Sequence, residues 1–137
     1  MERFVVKAHW ASQLHYDLRL EMDGVAKSWA IPKEPPIEAG LRRLAIQVGD
    51  HSIKDLDVED LSKEERPRSG RVETWDDGLY EILERSEEKY FLHFYGGKLR
   101  GLYGLFKMKW EENTWLITKA TLEEEDAIDS TRRYKQG

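Results

Sequence analysis

The sequence predicts an all-β, mainly antiparallel domain, a barrel or a sandwich, with one short helix and long loops. Three features predict it. Apolar and polar residues alternate with a period of two from Leu14 to Met22, short runs of β-branched and aromatic residues follow one another along the chain, and turn residues separate them. At 137 residues the chain holds one domain with a single core and is too short for two ordinary ones.

Taken in order, Leu14, Tyr16, Leu18, Leu20 and Met22 form the apolar face of a strand whose other face carries His15, Asp17, Arg19 and Glu21. Asp23-Gly24 is a hairpin turn signal, and Val25–Ile31 reads as the returning strand. The stretch Lys33–Leu41 contains Pro35 and Pro36, follows Pro32 and reads as a loop. Arg43–Val48 is the next strand. Asp55–Ser69 is charged and lacks strand alternation, and Val58 and Leu61 mark a short helix there. Arg71–Trp75 and Leu79–Leu83 read as strands joined by a turn at Asp76-Asp77-Gly78. Tyr90–Tyr95, Gly101–Met108 and Thr114–Lys119 complete the set, with Gly96-Gly97 and Glu112-Asn113 as turns. Residues 1–122 are therefore expected to form the domain, and the charged residues 123–137 a loose tail.

Composition narrows the chemistry. Five Trp, six Tyr and four Phe supply large core side chains, and charged residues make up 36% of the chain. There is no cysteine, which excludes disulfides, thiolate metal sites and a cysteine nucleophile. No run approaches the roughly 20 apolar residues of a membrane helix. The opening Met1-Glu2-Arg3-Phe4-Val5-Val6 lacks the basic and apolar regions of a signal peptide, so a cytoplasmic monomer is expected. The net charge is −5, unlike a protein that grips nucleic acid by a general basic coat. Yet residues 1–54 carry a net charge of +1 against −6 for the remainder, and His9, His15 and His51 lie in that first part. This charge balance leaves room for a small local anion site there. No GxxxxGK[ST], GxGxxG or GxSxG motif is present.

The chemically informative residues lie on the strand Leu14–Met22. His15 and Asp17 are two apart, so they share a face about 6–7 Å apart at Cβ, within reach of one metal ion. His9 completes a His-His-Asp set if the chain from Trp10 to Leu14 bends back, and such a set suits Mn²⁺ or Zn²⁺. Arg19 follows on the same face as a fork for phosphate oxygens. The bland alternative is a solvated strand face. By pattern alone His51 reads as a loop residue and His93 as structural.

Longer motifs add to this. Arg3-Phe4-Val5-Val6-Lys7-Ala8-His9, Leu14-His15-Tyr16-Asp17-Leu18-Arg19-Leu20-Glu21-Met22-Asp23-Gly24 and Lys27-Ser28-Trp29-Ala30-Ile31-Pro32-Lys33 resemble the 3′-phosphoesterase domain of bacterial DNA ligase D, which also occurs free-standing in archaea and bacteria. The likeness continues through Arg43–Val48, Asp50-His51, Gly70-Arg71-Val72, Trp75–Gly78, Gly97–Gly101 and Trp115–Lys119. The resemblance implies a β-barrel with its site in a groove on one side. It implies Mn²⁺ held by the residues matching His9, His15 and Asp17, and His and carboxylate ligands also suit Zn²⁺ or Co²⁺. Arg19 and His51 match positions that contact the scissile phosphate, and Lys33 and Arg43 match further basic positions. The activity implied is hydrolysis at DNA 3′ ends: a terminal ribonucleoside is removed to leave a 3′-phosphate, which is then hydrolysed to a 3′-hydroxyl. A separate ligase or polymerase would use that end in non-homologous end joining. The competing functional classes are a non-catalytic module that binds DNA ends or a repair partner, and a phosphodiesterase acting on RNA or small esters. The chain departs from the family pattern at Gly49, where a Glu is usual, at Asp55, where a Tyr is usual, and in residues 62–69.

Overall fold

Two antiparallel meanders close on each other in a computed structural model that describes residues 1–57 and 70–127. The first comprises β1 (Glu2–Trp10), β2 (Leu14–Met22), β3 (Val25–Ile31) and β4 (Arg42–His51). The second comprises β5 (Arg71–Arg85), β6 (Lys89–Gly96), β7 (Arg100–Lys107) and β8 (Thr114–Lys119). β1 pairs with β5 and β4 with β8, so the ring runs β1-β2-β3-β4-β8-β7-β6-β5 and each of these strands has two hydrogen-bonded neighbours. Closure removes the open sheet edges that would otherwise template pairing with other chains. The all-β antiparallel barrel is thus the observed fold. No helix among the described residues is long and apolar enough to cross a membrane.

Period-two alternation decides what fills the barrel. Phe4, Val6 and Ala8 of β1 point inward with Tyr16, Leu18, Leu20 and Met22 of β2, and all are buried. Aromatic rings complete the core: Tyr90 and Trp115 stack at 5.5 Å, and Trp29 meets both edge-on. The polar residues of β2 consequently face outward. On that outer wall Val5 and Ala26 form a second apolar cluster, capped by a 3-10 turn, Ile53–Leu56, whose Leu56 is buried. Ser52 accepts a hydrogen bond from the Lys54 amide and begins this turn.

Several elements differ from expectation. Glu2–Trp10, which no alternation singled out, is a full strand because Phe4-Val5-Val6 is buried on both faces. Asp76-Asp77-Gly78 is not a turn: β5 runs unbroken from Arg71 to Arg85 with a bulge against β1. The reason lies in another hairpin. The Asp76 carboxylate accepts hydrogen bonds from the Gly97, Lys98 and Leu99 amides at 2.9, 3.0 and 2.7 Å, so it braces the β6–β7 turn and not its own backbone. Gly96 lies opposite Gly78 at that junction, and a Cβ on it would come within 2.6 Å of the Phe4 ring. Asp23-Gly24 does turn, with φ of 56° and 81°, the conformation of a two-residue hairpin loop. The Asp50-His51 pair lies at the end of β4, not in a loop. Val58, Leu61 and residues 62–69 lie outside the described residues, as do residues 128–137. Residues 122–127 are helical, and Glu125 Oε1 accepts from the Leu102 amide at 3.0 Å.

Candidate metal and phosphate site

The β1–β2 hairpin brings the three predicted metal ligands together. His9 and His15 are direct cross-strand partners, and their rings meet with centroids 4.8 Å apart. Asp17 follows His15 on the outer face. Its Oδ1 lies 3.3 Å from His15 Nε2 and its Oδ2 lies 3.8 Å from His9 Nδ1. One ligand atom from each residue lies within 4.8 Å of the others, the sole such group among the described residues. All three are half-buried. Two imidazoles and a carboxylate this close together suit a divalent first-row metal with coordination positions left for water or substrate.

Arg19 is the next outward residue on β2 after Asp17, and its side chain is only 15% exposed. Its Nε and Nη1 are buried without a hydrogen-bond partner. Buried donors of this kind are costly unless a ligand satisfies them, and a guanidinium fork matches phosphate oxygens. His51 stands nearby because β4 ends opposite Ala26 of β3. Its Nδ1 is 3.0 Å from Asp55 Oδ2, and the same oxygen is 3.8 Å from Arg19 Nη1. Asp55 therefore links His51 to Arg19 across the 3-10 turn.

The remaining two basic residues sit differently. Lys33 is exposed in the loop after β3. Arg43 donates from Nε to the Glu34 carbonyl at 2.9 Å and from Nη1 to the Arg42 carbonyl at 3.1 Å, so its hydrogen bonds tie down the proline-containing loop. That loop is also held by Tyr103, whose hydroxyl donates to the Pro36 carbonyl at 2.6 Å. Burial, and then the Glu34 carboxylate of this loop, push the Tyr16 phenol of β2 up. His93 is on β6, across the barrel order from β2, stacked on Tyr95. Asp55 is the residue that pattern reading did not place in the site. Its sequence signals are the spacing of four from His51 behind the capping Ser52 and its standing where the family usually has a Tyr.

The chain is similar to known proteins. A family model described as the DNA Ligase D 3′-phosphoesterase domain matches residues 7–107. The multifunctional non-homologous end joining protein LigD of Pseudomonas aeruginosa is 37% identical over 134 residues, covering 93% of this chain and 16% of that protein. The protein of the same name from Mycobacterium bovis is 33% identical over 108 residues, covering 76% of this chain and 14% of its own length. That from Mycolicibacterium smegmatis is 34% identical over 119 residues, with 79% and 16% covered. The chain spans about a sixth of the length of these relatives.

Proposed function

Because the chain belongs to the DNA ligase D 3′-phosphoesterase family, we propose that it is a metal-dependent hydrolase that processes DNA 3′ ends in break repair. The observation that carries this reading is the pairing of two features on one outer wall: the His9-His15-Asp17 group and, on the same strand, the buried Nε and Nη1 of Arg19, which find no hydrogen-bond partner among the described residues although Nη1 lies 3.8 Å from Asp55. A solvated strand face would not enclose such donors.

His9, His15 and Asp17 would hold the metal, and their donor set fits manganese as well as zinc or cobalt. Bound there, such an ion would polarise a phosphate oxygen and acidify a water. The chain's own residues do the rest. Arg19 would bind a non-bridging oxygen of the scissile phosphate and offset charge as the transition state forms. Lys33, exposed in the loop after β3, would add positive charge along the approach of the strand. Arg43 would act chiefly by fixing that loop through Glu34. With Nδ1 turned to Asp55, His51 has Nε2 left for substrate, where a proton could pass to the leaving oxygen.

The proposed sequence is removal of a terminal ribonucleoside to leave a 3′-phosphate, then hydrolysis to a 3′-hydroxyl that a polymerase or ligase can use. The test is incubation of DNA primers ending in a ribonucleotide or a 3′-phosphate, with and without Mn²⁺, alongside Asp17→Ala. Metal-dependent conversion of both ends to a 3′-hydroxyl, lost in the variant, is expected. Full Mn²⁺-dependent turnover by Asp17→Ala would overturn the assignment, and binding of DNA ends without turnover would make the chain a recognition module.

A further inference from the structure

We propose that Asp55 biases this site towards phosphodiester and against phosphomonoester 3′ ends, an inference that rests on the reading of the site given above. Asp55 Oδ2 lies 3.0 Å from His51 Nδ1 and 3.8 Å from Arg19 Nη1. One carboxylate thus stands between the two groups assigned to the scissile phosphate. Its backbone is anchored. Leu56 beside it is buried against Val5 and Ala26, the Asp55 amide donates to the Ser52 carbonyl at 2.9 Å, and Ser52 Oγ caps the turn. Arg19 has little freedom to turn away, being 15% exposed and held in the barrel wall.

A fixed negative charge at this point acts on the two kinds of end unequally. Near neutral pH a terminal phosphomonoester carries a charge of about −1.5 to −2, whereas a diester carries a single negative charge. Both kinds of end meet Arg19 and His51, but the monoester brings the extra charge towards Asp55. Asp55 is 47% exposed, so solvent screens it considerably. Over roughly 5 Å with such screening, the extra charge corresponds to about a tenfold loss of relative affinity. A second effect is common to both substrates. The Asp55 carboxylate accepts a hydrogen bond from His51 Nδ1 and so fixes which imidazole nitrogen faces the substrate.

Two variants separate these effects. Asp55→Asn retains a carbonyl oxygen for His51 Nδ1 and removes the charge, whereas Asp55→Ala removes both. The probes are one single-stranded oligonucleotide ending in a 3′-phosphate and the same one capped as a methyl 3′-phosphodiester. Binding is read by fluorescence anisotropy in EDTA, and hydrolysis is read separately with Mn²⁺. Asp55→Asn is expected to improve binding of the phosphate-ended probe about tenfold relative to the methyl diester, with kcat/KM shifting in the same sense. Asp55→Ala should shift the binding ratio similarly while lowering kcat on both. An unchanged ratio in Asp55→Asn, with wild-type protein active, would sink this inference and leave the enzyme reading standing. Wild-type protein that is folded yet neither binds nor cuts either probe would overturn the enzyme reading and this inference with it.

Discussion

Replacing Asp76 with Ala should be among the most damaging single changes in the barrel, although Asp76 is remote in sequence from every proposed site residue. Its side chain is buried, and its two oxygens accept amides from Gly97, Lys98 and Leu99. Hydrogen bonds to a charged group contribute about 1.5–3 kcal/mol, and a buried donor left unsatisfied costs about 1–3 kcal/mol. The Leu99 bond is fully buried, so its amide bears most of that cost, while the part-buried Gly97 and Lys98 amides recover some hydration. The sum expected for Asp76→Ala is about 3–5 kcal/mol, a large share of the roughly 5–15 kcal/mol that holds a typical domain. Urea unfolding followed by Trp fluorescence measures it as a fall in midpoint at constant slope. Asp76→Asn makes a useful internal comparison. Gly97 bonds one carboxylate oxygen while Lys98 and Leu99 share the other, so an amide replaces only one side and should fall between Ala and wild type. A loss below about 1 kcal/mol for Asp76→Ala would refute the idea that this carboxylate organises the turn.

Other outcomes follow from the same contacts. Mn²⁺ at about a hundredfold excess over its Kd should stabilise the fold by about 2.7 kcal/mol, or raise Tm by about 10 °C for a domain of this size. Scanning fluorimetry should find that rise absent in Asp17→Ala, and its survival would remove Asp17 from the ligand set. Tyr103→Phe leaves the Pro36 carbonyl without its donor and should cost about 1–2 kcal/mol in a urea melt. The Asp23 carboxyl is held below its ordinary value of 3.8, first by the hydrogen bond from Arg85. Because the folded value is the lower one, wild type should exceed Asp23→Asn in stability above about that ordinary value. The difference should vanish as pH falls through the folded value. Acid titration of both proteins by circular dichroism tests the sign, and a gap that widened at low pH would contradict it.

The candidate metal group was legible because two of its members are local. His15 and Asp17 share a face by the period of a strand alone, and alternation from Leu14 to Met22 shows which face is wet. His9 depended on a hairpin between residues 10 and 14, which periodicity permits but does not require. Only the register His9↔His15 puts the two rings together. Arg43 entered the candidate set only through the family resemblance, and pattern does not reveal that its Nε and Nη1 bond the Glu34 and Arg42 carbonyls. The pattern of Asp76-Asp77-Gly78 predicted a turn because Asp usually bonds its own backbone. Here the partner amides lie more than twenty residues away, which local sequence does not encode.

By itself, then, the sequence determined strand period, the apolar set that fills the barrel, the absence of cysteine chemistry and the pairing of His15, Asp17 and Arg19 on one face. These depend on backbone geometry and composition, which act over a few residues. The tertiary structure decided what depends on closure: which strand lies against β1, where the 3-10 turn lands on the outer wall, and that Asp55 reaches both His51 and Arg19. Contacts between residues far apart in the chain are set by how the two meanders close and how apolar patches such as Val5, Ala26 and Leu56 find each other.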